Sequence, residues 1–93
     1  MDLEDLFATN LQVRILKVML EEPMKLFSTS GLARRLSSSP SAVIARLKHL
    51  EDMGILKTIQ ANRIKLYRLN TENPVVTALI EFYARLKEAS KSG

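Results

Sequence analysis

The hydrophobic residues change their spacing at Gly54, and this change limits the folds available to the chain. Before it, apolar residues recur at helical spacing, in a stripe formed by Val43, Leu47 and Leu50. After it come two segments that are rich in β-formers and partly alternate, 55–60 and 64–69. Asn62, between them, tolerates the left-handed conformation of a tight turn. The sequence therefore predicts a helix capped by Gly54 and then a β-hairpin.

Two more helices are predicted before that one. The first carries an apolar face that includes Leu11, Ile15, Val18 and Met19. We expect Asn10 to cap it and Pro23 to end it, after a short helix or arm at Leu3, Leu6 and Phe7. A short extended segment, 25–27, precedes the second helix, whose start is supplied with capping oxygens by 28–30. The third helix starts at Ser39-Pro40, after the polar turn 37–39.

A last helix is predicted from Pro74, after the capping residue Asn73, to about Ala89. It carries two apolar stripes, one of Val75, Leu79, Phe82 and Leu86, the other of Val76, Ile80 and Tyr83. One stripe suffices to pack on a core, so the second indicates another partner surface. We expect a dimer interface formed by Val76, Leu79, Ile80, Tyr83 and Leu86. Only the segment 91–93 has the composition of a loose tail.

The predicted fold class is α+β, mainly helical. It is a winged helix-turn-helix with a three-helix core, a β-hairpin wing and an additional C-terminal helix. Residues 1–93 are expected to form one domain. Its parts are the helix-turn-helix at about 28–53, the wing at about 55–69 and the dimerisation helix at about 74–89.

Charge and composition narrow the classes of function. Residues 23–70 carry nine lysines and arginines against two acidic residues, which suits a polyanionic partner. The chain has no cysteine, which excludes disulfides and thiolate metal sites. The acidic N-terminal stretch 1–12 does not resemble a secretory signal, and no apolar run is long enough to span a membrane. We therefore expect a cytoplasmic protein without a membrane partner.

Four stretches of the chain resemble the ArsR-like winged-helix regulators of prokaryotes and archaea. They are Leu32-Ala33-Arg34-Arg35-Leu36, Ser39-Pro40-Ser41-Ala42-Val43, the run from Leu47 to Leu56, and Tyr67-Arg68-Leu69-Asn70. The resemblance covers roughly residues 11–86 and implies a dimeric DNA-binding repressor. The chain departs from the family at Ser37 and Ser38, where a glycine and a large apolar residue are usual, and at the wing tip, which lacks glycine. The cysteine or His/Asp clusters of the family's metal sensors are absent from the sequence.

The predicted partner is duplex DNA, because the major groove admits an α-helix whose first residues meet base edges. Opposite the apolar stripe of the third helix we expect Ser41, Ala45, Lys48 and His49, with Ala42 and Arg46 on the flank. Candidates for phosphate contacts are Ser28, Ser30, Arg34, Arg35 and Ser39. The cations on or beside the wing are Lys57, Arg63, Lys65 and Arg68.

Catalysis and metal binding have little support in the sequence. His49 is the only histidine and has no cysteine or aspartate neighbour that would complete a metal site. No nucleophile, base or phosphate-cradling loop forms a recognisable catalytic set, so we expect neither an enzyme nor a cofactor. Two alternatives to a sequence-specific regulator stay open: a winged-helix module that binds protein, and an architectural protein that binds DNA without sequence preference.

Overall fold

The computed structural model describes residues 3–92, and side chains from 4 to 91. The five helices are α1 (Leu3–Leu6), α2 (Asn10–Glu21), α3 (Thr29–Leu36), α4 (Pro40–Asp52) and α5 (Pro74–Ser92). The three strands are β1 (Phe27–Ser28), β2 (Leu56–Ala61) and β3 (Ile64–Leu69). This order confirms the predicted α+β winged helix-turn-helix with an additional C-terminal helix.

The strands form one antiparallel sheet in the order β1-β3-β2. β2 and β3 are the predicted hairpin, paired from Leu56 with Leu69 to Ala61 with Ile64. The turn consists of Asn62 and Arg63, and Asn62 has the positive φ of 58° that was expected. The short strand β1 adds to β3 through Phe27 and Tyr67, which fastens the wing to the segment before α3.

The core lies where α2, α3 and α4 meet the base of the sheet. From α4, the predicted stripe is fully buried, with Val43, Leu47 and Leu50 each 0% exposed. The buried stripe of α2 is Gln12, Ile15, Leu16 and Met19. It is rotated from the stripe read from the sequence, because it starts at a polar residue, Gln12, and leaves Leu11 and Val18 only partly buried.

The helix ends follow local side-chain chemistry, with two corrections. Thr9, and not Asn10, caps α2, because its hydroxyl accepts a hydrogen bond from the backbone N–H of Gln12 (3.1 Å). The helix α5 continues to Ser92 and so takes in most of the predicted tail. Met1, Asp2 and Gly93 lie outside the described residues.

Candidate nucleic-acid interface

The helix α4 starts as its sequence predicts. The Ser39 hydroxyl accepts a hydrogen bond from the backbone N–H of Ala42 (3.2 Å), and Pro40 is the first helical residue. Ser39, Pro40 and Ser41 are all exposed. The start of α4 is therefore accessible, with the positive end of its helix dipole toward solvent.

The turn between α3 and α4 depends on a serine in a glycine conformation. Ser37 has a φ of +52°, and the turn is closed by hydrogen bonds from the N–H of Ser37 to the Arg34 carbonyl and from the N–H of Ser38 to the Ala33 carbonyl. Gly54 ends α4 with the same pair of bonds and a φ of +79°. The chain therefore builds the turn geometry without the glycine that is usual in ArsR-like proteins.

The outward stripe of α4 is formed by Ser41, Ala45 and Lys48, which are exposed opposite the buried stripe. Ala42 is half-buried beside it. The first two side chains are small, which allows a helix to approach base edges closely. Lys48 makes no hydrogen bond or ion pair with the part of the chain that the structure describes.

Arg46 and His49 lie on the flank of α4 that faces α1 and α2, and both are half-buried. The Nη1 of Arg46 donates to the Oε1 of Gln12 (3.4 Å). The Nε2 of His49 lies 3.4 Å from the carbonyl oxygen of Asp5. The flank position predicted for Arg46 is confirmed, whereas His49 is turned from the outward stripe toward α1.

The helix α3 presents two cations to solvent. Arg34 and Arg35 are exposed, and neither has a hydrogen-bond or ion-pair partner among residues 3–92. Ser30 is also exposed, whereas Ser28 is half-buried and caps α3 by accepting from the N–H of Gly31 (3.0 Å). Of the two serines at the start of this helix that are predicted to contact phosphate, Ser28 thus already accepts a structural hydrogen bond.

Of the four cations on the wing, Arg63 lies at the tip, and Lys57 and Lys65 are paired. Arg63 is exposed in the turn and has no partner among the described residues. The paired cations are Lys57, whose Nζ lies 2.6 Å from Glu72, and Lys65, whose Nζ lies 3.4 Å from Glu51 and 5.4 Å from the centre of the Tyr67 ring. The positive charge of the wing is therefore partly neutralised within the chain.

These contacts shift the pKa values of Lys65 on the wing and of Glu72 beside it. The hydrogen bond from Lys57 lowers the pKa of Glu72 from its ordinary value. The neighbouring Tyr67, and then Glu51, raise the pKa of Lys65. Arg68 is half-buried on β3, and its Nε is buried without a hydrogen-bond partner.

The residues predicted for the dimer interface separate into three groups. Val76 is 0% exposed and packs in the core, so its prediction as an interface residue is wrong: α5 uses it to dock on the domain. Leu79, Ile80 and Tyr83 are half-buried. Leu86 is 49% exposed and is the only one of the five that is neither buried nor half-buried.

Sequence reasoning missed several apolar residues of that surface. A shallow cavity of about 200 Å³ lies between α2 and α5. We call it the apolar groove; its walls include Phe7, Val13, Leu20, Phe82, Tyr83 and Leu86. Phe82 is 62% exposed and Phe7 44%. The spacing of Phe82 and Leu86 was the available signal, but it could not tell which of the two stripes of α5 faces the core.

Polar contacts hold α5 on α2 beside the groove. The carboxylate of Glu21 accepts hydrogen bonds from the Tyr83 hydroxyl and from the Nζ of Lys87, the latter at 2.7 Å. The bond from Lys87, followed by that from Tyr83, lowers the pKa of Glu21. The same carboxylate raises the pKa of Tyr83.

Two features are absent from the part of the chain that the structure describes. Among the helices within 3–92, none combines the length and the apolar character needed to cross a membrane. Nor do residues 3–92 contain a group of three or more His, Asp or Glu side chains placed to hold a metal ion.

The comparisons with known proteins agree with this geometry. The family model described as winged helix-turn-helix DNA-binding matches residues 28–62. HlyU from Vibrio cholerae superposes with a TM-score of 0.73 at 28% identity, over 90% of this chain and 85% of HlyU. No curated protein matches the sequence.

Two further solved structures share the fold at lower identity. The antimony-specific transcriptional repressor AntR has a TM-score of 0.70 at 23% identity, over 95% of this chain and 76% of its own. A possible transcriptional regulator from Methanosarcina mazei has a TM-score of 0.68 at 24% identity, over 95% and 81%. The chain thus has a winged helix-turn-helix fold that is similar to the fold of HlyU, and its residues 28–62 match a model of winged helix-turn-helix DNA-binding proteins.

Proposed function

We propose that the chain is a single-domain, cytoplasmic transcription regulator that binds specific duplex DNA as a homodimer and represses by occlusion. The observation that carries the proposal is the accessible outward stripe of α4, which begins with small side chains. Cations without partners in the described chain accompany it on three consecutive elements, namely Arg34 and Arg35 on α3, Lys48 on α4 and Arg63 on the wing.

The roles of the side chains follow from their positions. Ser41, Ala42, Ala45 and Lys48 meet base edges, since serine pairs with several edges and alanine contacts the thymine methyl group. Ser39, Arg34, Arg35 and Arg63 contact phosphates, which supply affinity without sequence information. Arg46 and His49 act at the edge of the contact, and Lys65 contributes less because Glu51 shares its charge.

Few of these base-facing side chains are long hydrogen-bond donors, so discrimination between sequences is modest. The shape and stiffness of the DNA then contribute much of the preference. Repression is supported by AntR, a transcriptional repressor with the same fold.

The homodimer is supported by the exposed apolar side chains around the groove. Leaving Phe7, Phe82 and Leu86 in water is unfavourable, and a second copy would cover them. A two-fold arrangement through α5 and α2 then presents two α4 helices to successive major grooves, ~34–36 Å apart. The predicted operator is a pseudo-palindrome.

The test is fluorescence anisotropy of the protein with genomic duplex fragments and with a random duplex, across a salt series. We expect affinity to fall steeply with salt and one fragment to be bound far better than the random duplex. Equal binding of all duplexes would indicate an architectural protein. Absence of binding at low salt would overturn the DNA function in favour of a protein partner.

Two variants test whether α4 contributes to the affinity for duplex DNA. Lys48→Ala should weaken binding to the preferred fragment. The matched control is Arg85→Ala, which removes the same charge from the exposed face of α5, where Arg85 pairs with Glu81. An equal loss in both variants would mean that the protein responds to net charge alone.

A further inference from the structure

Gln12 is a fully buried polar side chain that the DNA-binding surface does not use. It is 0% exposed and begins the stripe by which α2 packs on the core, in phase with Ile15, Leu16 and Met19. An amide at such a position is unfavourable unless its donors and acceptor are bonded. The hydrogen-bond partners of the Gln12 amide therefore indicate its role.

The amide nitrogen of Gln12 bonds to the end of α1. Its Nε2 donates to the carbonyl oxygens of Asp5 (2.8 Å) and Leu6 (2.6 Å). The helix α1 has only four residues, too few to be stable alone, and its last carbonyls have no partner within the helix. The bonds from Gln12, together with the burial of the Leu6 side chain at 3% exposure, hold α1 on the domain.

The amide oxygen of Gln12 bonds to α4. The Oε1 accepts from the Nη1 of Arg46 at 3.4 Å, a long and therefore adjustable contact. His49, one turn further along α4, reaches the Asp5 carbonyl at the same junction. Two side chains of the predicted DNA-reading helix thus end where α1 joins α2.

We propose that Gln12 is a positioning residue, which couples the docking of α1 to the orientation of Arg46 and so to DNA affinity. This inference rests on the proposed DNA-binding function. The amide has one orientation that satisfies both sides, with nitrogen toward α1 and oxygen toward Arg46. When α1 undocks, the buried nitrogen loses both acceptors, the amide reorients, and Arg46 loses the group that orients its guanidinium.

The coupling reaches the apolar groove as well. Phe7 follows Leu6 directly and forms part of the groove wall. Any molecule that binds the groove and favours the docked position of α1 therefore favours the oriented Arg46. The effect is reciprocal, so binding of duplex DNA stabilises the docked α1.

The test is a double-mutant cycle of Gln12→Met and Arg46→Met, read as affinity for the preferred duplex. Methionine matches the length of the Gln12 side chain and the apolar stem of Arg46, and it removes both polar ends. We expect Gln12→Met alone to weaken binding about three- to tenfold. In the Arg46→Met background it should have no further effect. An equal loss in both backgrounds would assign Gln12 a merely structural role.

A second variant tests the α1 side of the coupling. Leu6→Ala loosens α1 and should weaken DNA binding in the wild-type background, but not in the presence of Gln12→Met. The control is Met19→Leu, a change at a fully buried position of α2, which should leave the affinity unchanged. If the losses of DNA affinity from Leu6→Ala and Gln12→Met were additive, α1 and Gln12 would act independently and the coupling would be overturned.

A measurement on the free protein distinguishes failure of the coupling from failure of the DNA function. NMR relaxation of the Arg46 Nε–H group reports its mobility without DNA, and it should rise in Gln12→Met. If mobility rises but the wild type binds no duplex, the DNA function fails and the contact stands. If the wild type binds duplex and Gln12→Met changes neither mobility nor affinity, only the coupling is overturned.

Discussion

The central region, residues 28–69, and the face between α2 and α5 expose different kinds of side chain to solvent. The central region buries the stripe of α4 and leaves unpaired cations outside. The other face includes the ion pair of Glu21 with Lys87 and leaves Phe7, Phe82 and Leu86 exposed. One surface suits a polyanion and the other suits an apolar partner, so a domain of this size offers two chemically distinct contacts.

The largest expected effect tests whether the apolar stripe of α4 faces the core of the central region. Leu47→Ala removes a side chain that is 0% exposed and should lower the free energy of unfolding by about 2–5 kcal/mol. Urea denaturation measures it. Ile44→Ala, on the same helix at 48% exposure, is the control and should cost no more than about 0.5 kcal/mol. Similar losses at both positions would contradict the inward orientation of the stripe.

The next prediction concerns the opposite face. Phe82→Glu places a charge in the exposed rim of the apolar groove and should raise the dimer dissociation constant about tenfold or more, ~1.4 kcal/mol, without unfolding the monomer. Sedimentation velocity at micromolar concentration measures this. Ala78→Glu adds the same charge at another exposed position of α5 and should have less effect. If the wild-type protein were monomeric, the proposal that a second copy covers this face would be wrong.

A third prediction compares free and paired cations within the central region. The double variant Arg34→Ala/Arg35→Ala should weaken duplex binding and reduce the slope of log affinity against log salt by about 2. Lys57→Ala/Lys65→Ala removes the same charge from residues that pair with Glu72 and Glu51, so its slope should change less. Equal changes would show that the ion pairs do not matter at the DNA surface.

A smaller effect tests the turn that joins α3 to α4. Ser37→Gly should stabilise the protein by about 0.5–1 kcal/mol, because it relieves a left-handed conformation that is unfavourable for a residue with a Cβ atom. Thermal or urea unfolding measures the gain. Ser38→Gly, at the next residue without a positive φ, should bring no gain. If Ser38→Gly stabilised the protein as much, the strain would not reside at Ser37.

The smallest effect belongs to the exposed pair on the α2–α5 face. Because the pKa of Glu21 is lowered in the folded chain, its contribution to stability is present above its ordinary value of 4.5 and is lost as the pH falls through the folded pKa. An NMR titration of Glu21 should show the lowered value. Lys87→Met should move it back toward 4.5, whereas Lys91→Met should leave it unchanged. If Lys87→Met left the titration of Glu21 unchanged, the ion pair with Lys87 would not be the cause of the lowered pKa.

The sequence predicted those parts of the fold that local chemistry decides. Ser39 followed by Pro40, Gly54 after α4 and Asn62 in the hairpin each occupy the expected position, since capping oxygens and positive φ angles are properties of a few neighbouring residues. The outward positions of Ser41 and Lys48 follow from the same helical period.

The burial and the partners of other residues could not be predicted, because they depend on contacts between elements that are far apart in sequence. The period of α5 offered two apolar stripes, and only packing decided that Val76 enters the core while Phe82 stays exposed. Gln12 lies in phase with a buried stripe, but its partners are six, seven and thirty-four residues away. For the same reason the ion pairs that reduce the charge of the wing could not be read from composition.

The sequence by itself determined the order of the elements, most of their caps and turns, the inward stripe of α4 and the basic character of residues 23–70. The tertiary structure decided which cations are free, which face of α5 is exposed, and that Arg46 meets Gln12 at the α1–α2 junction. The physical reason is one of range. Caps, turns and helical periods depend on residues within about one turn of each other, whereas burial and pairing depend on how whole helices pack.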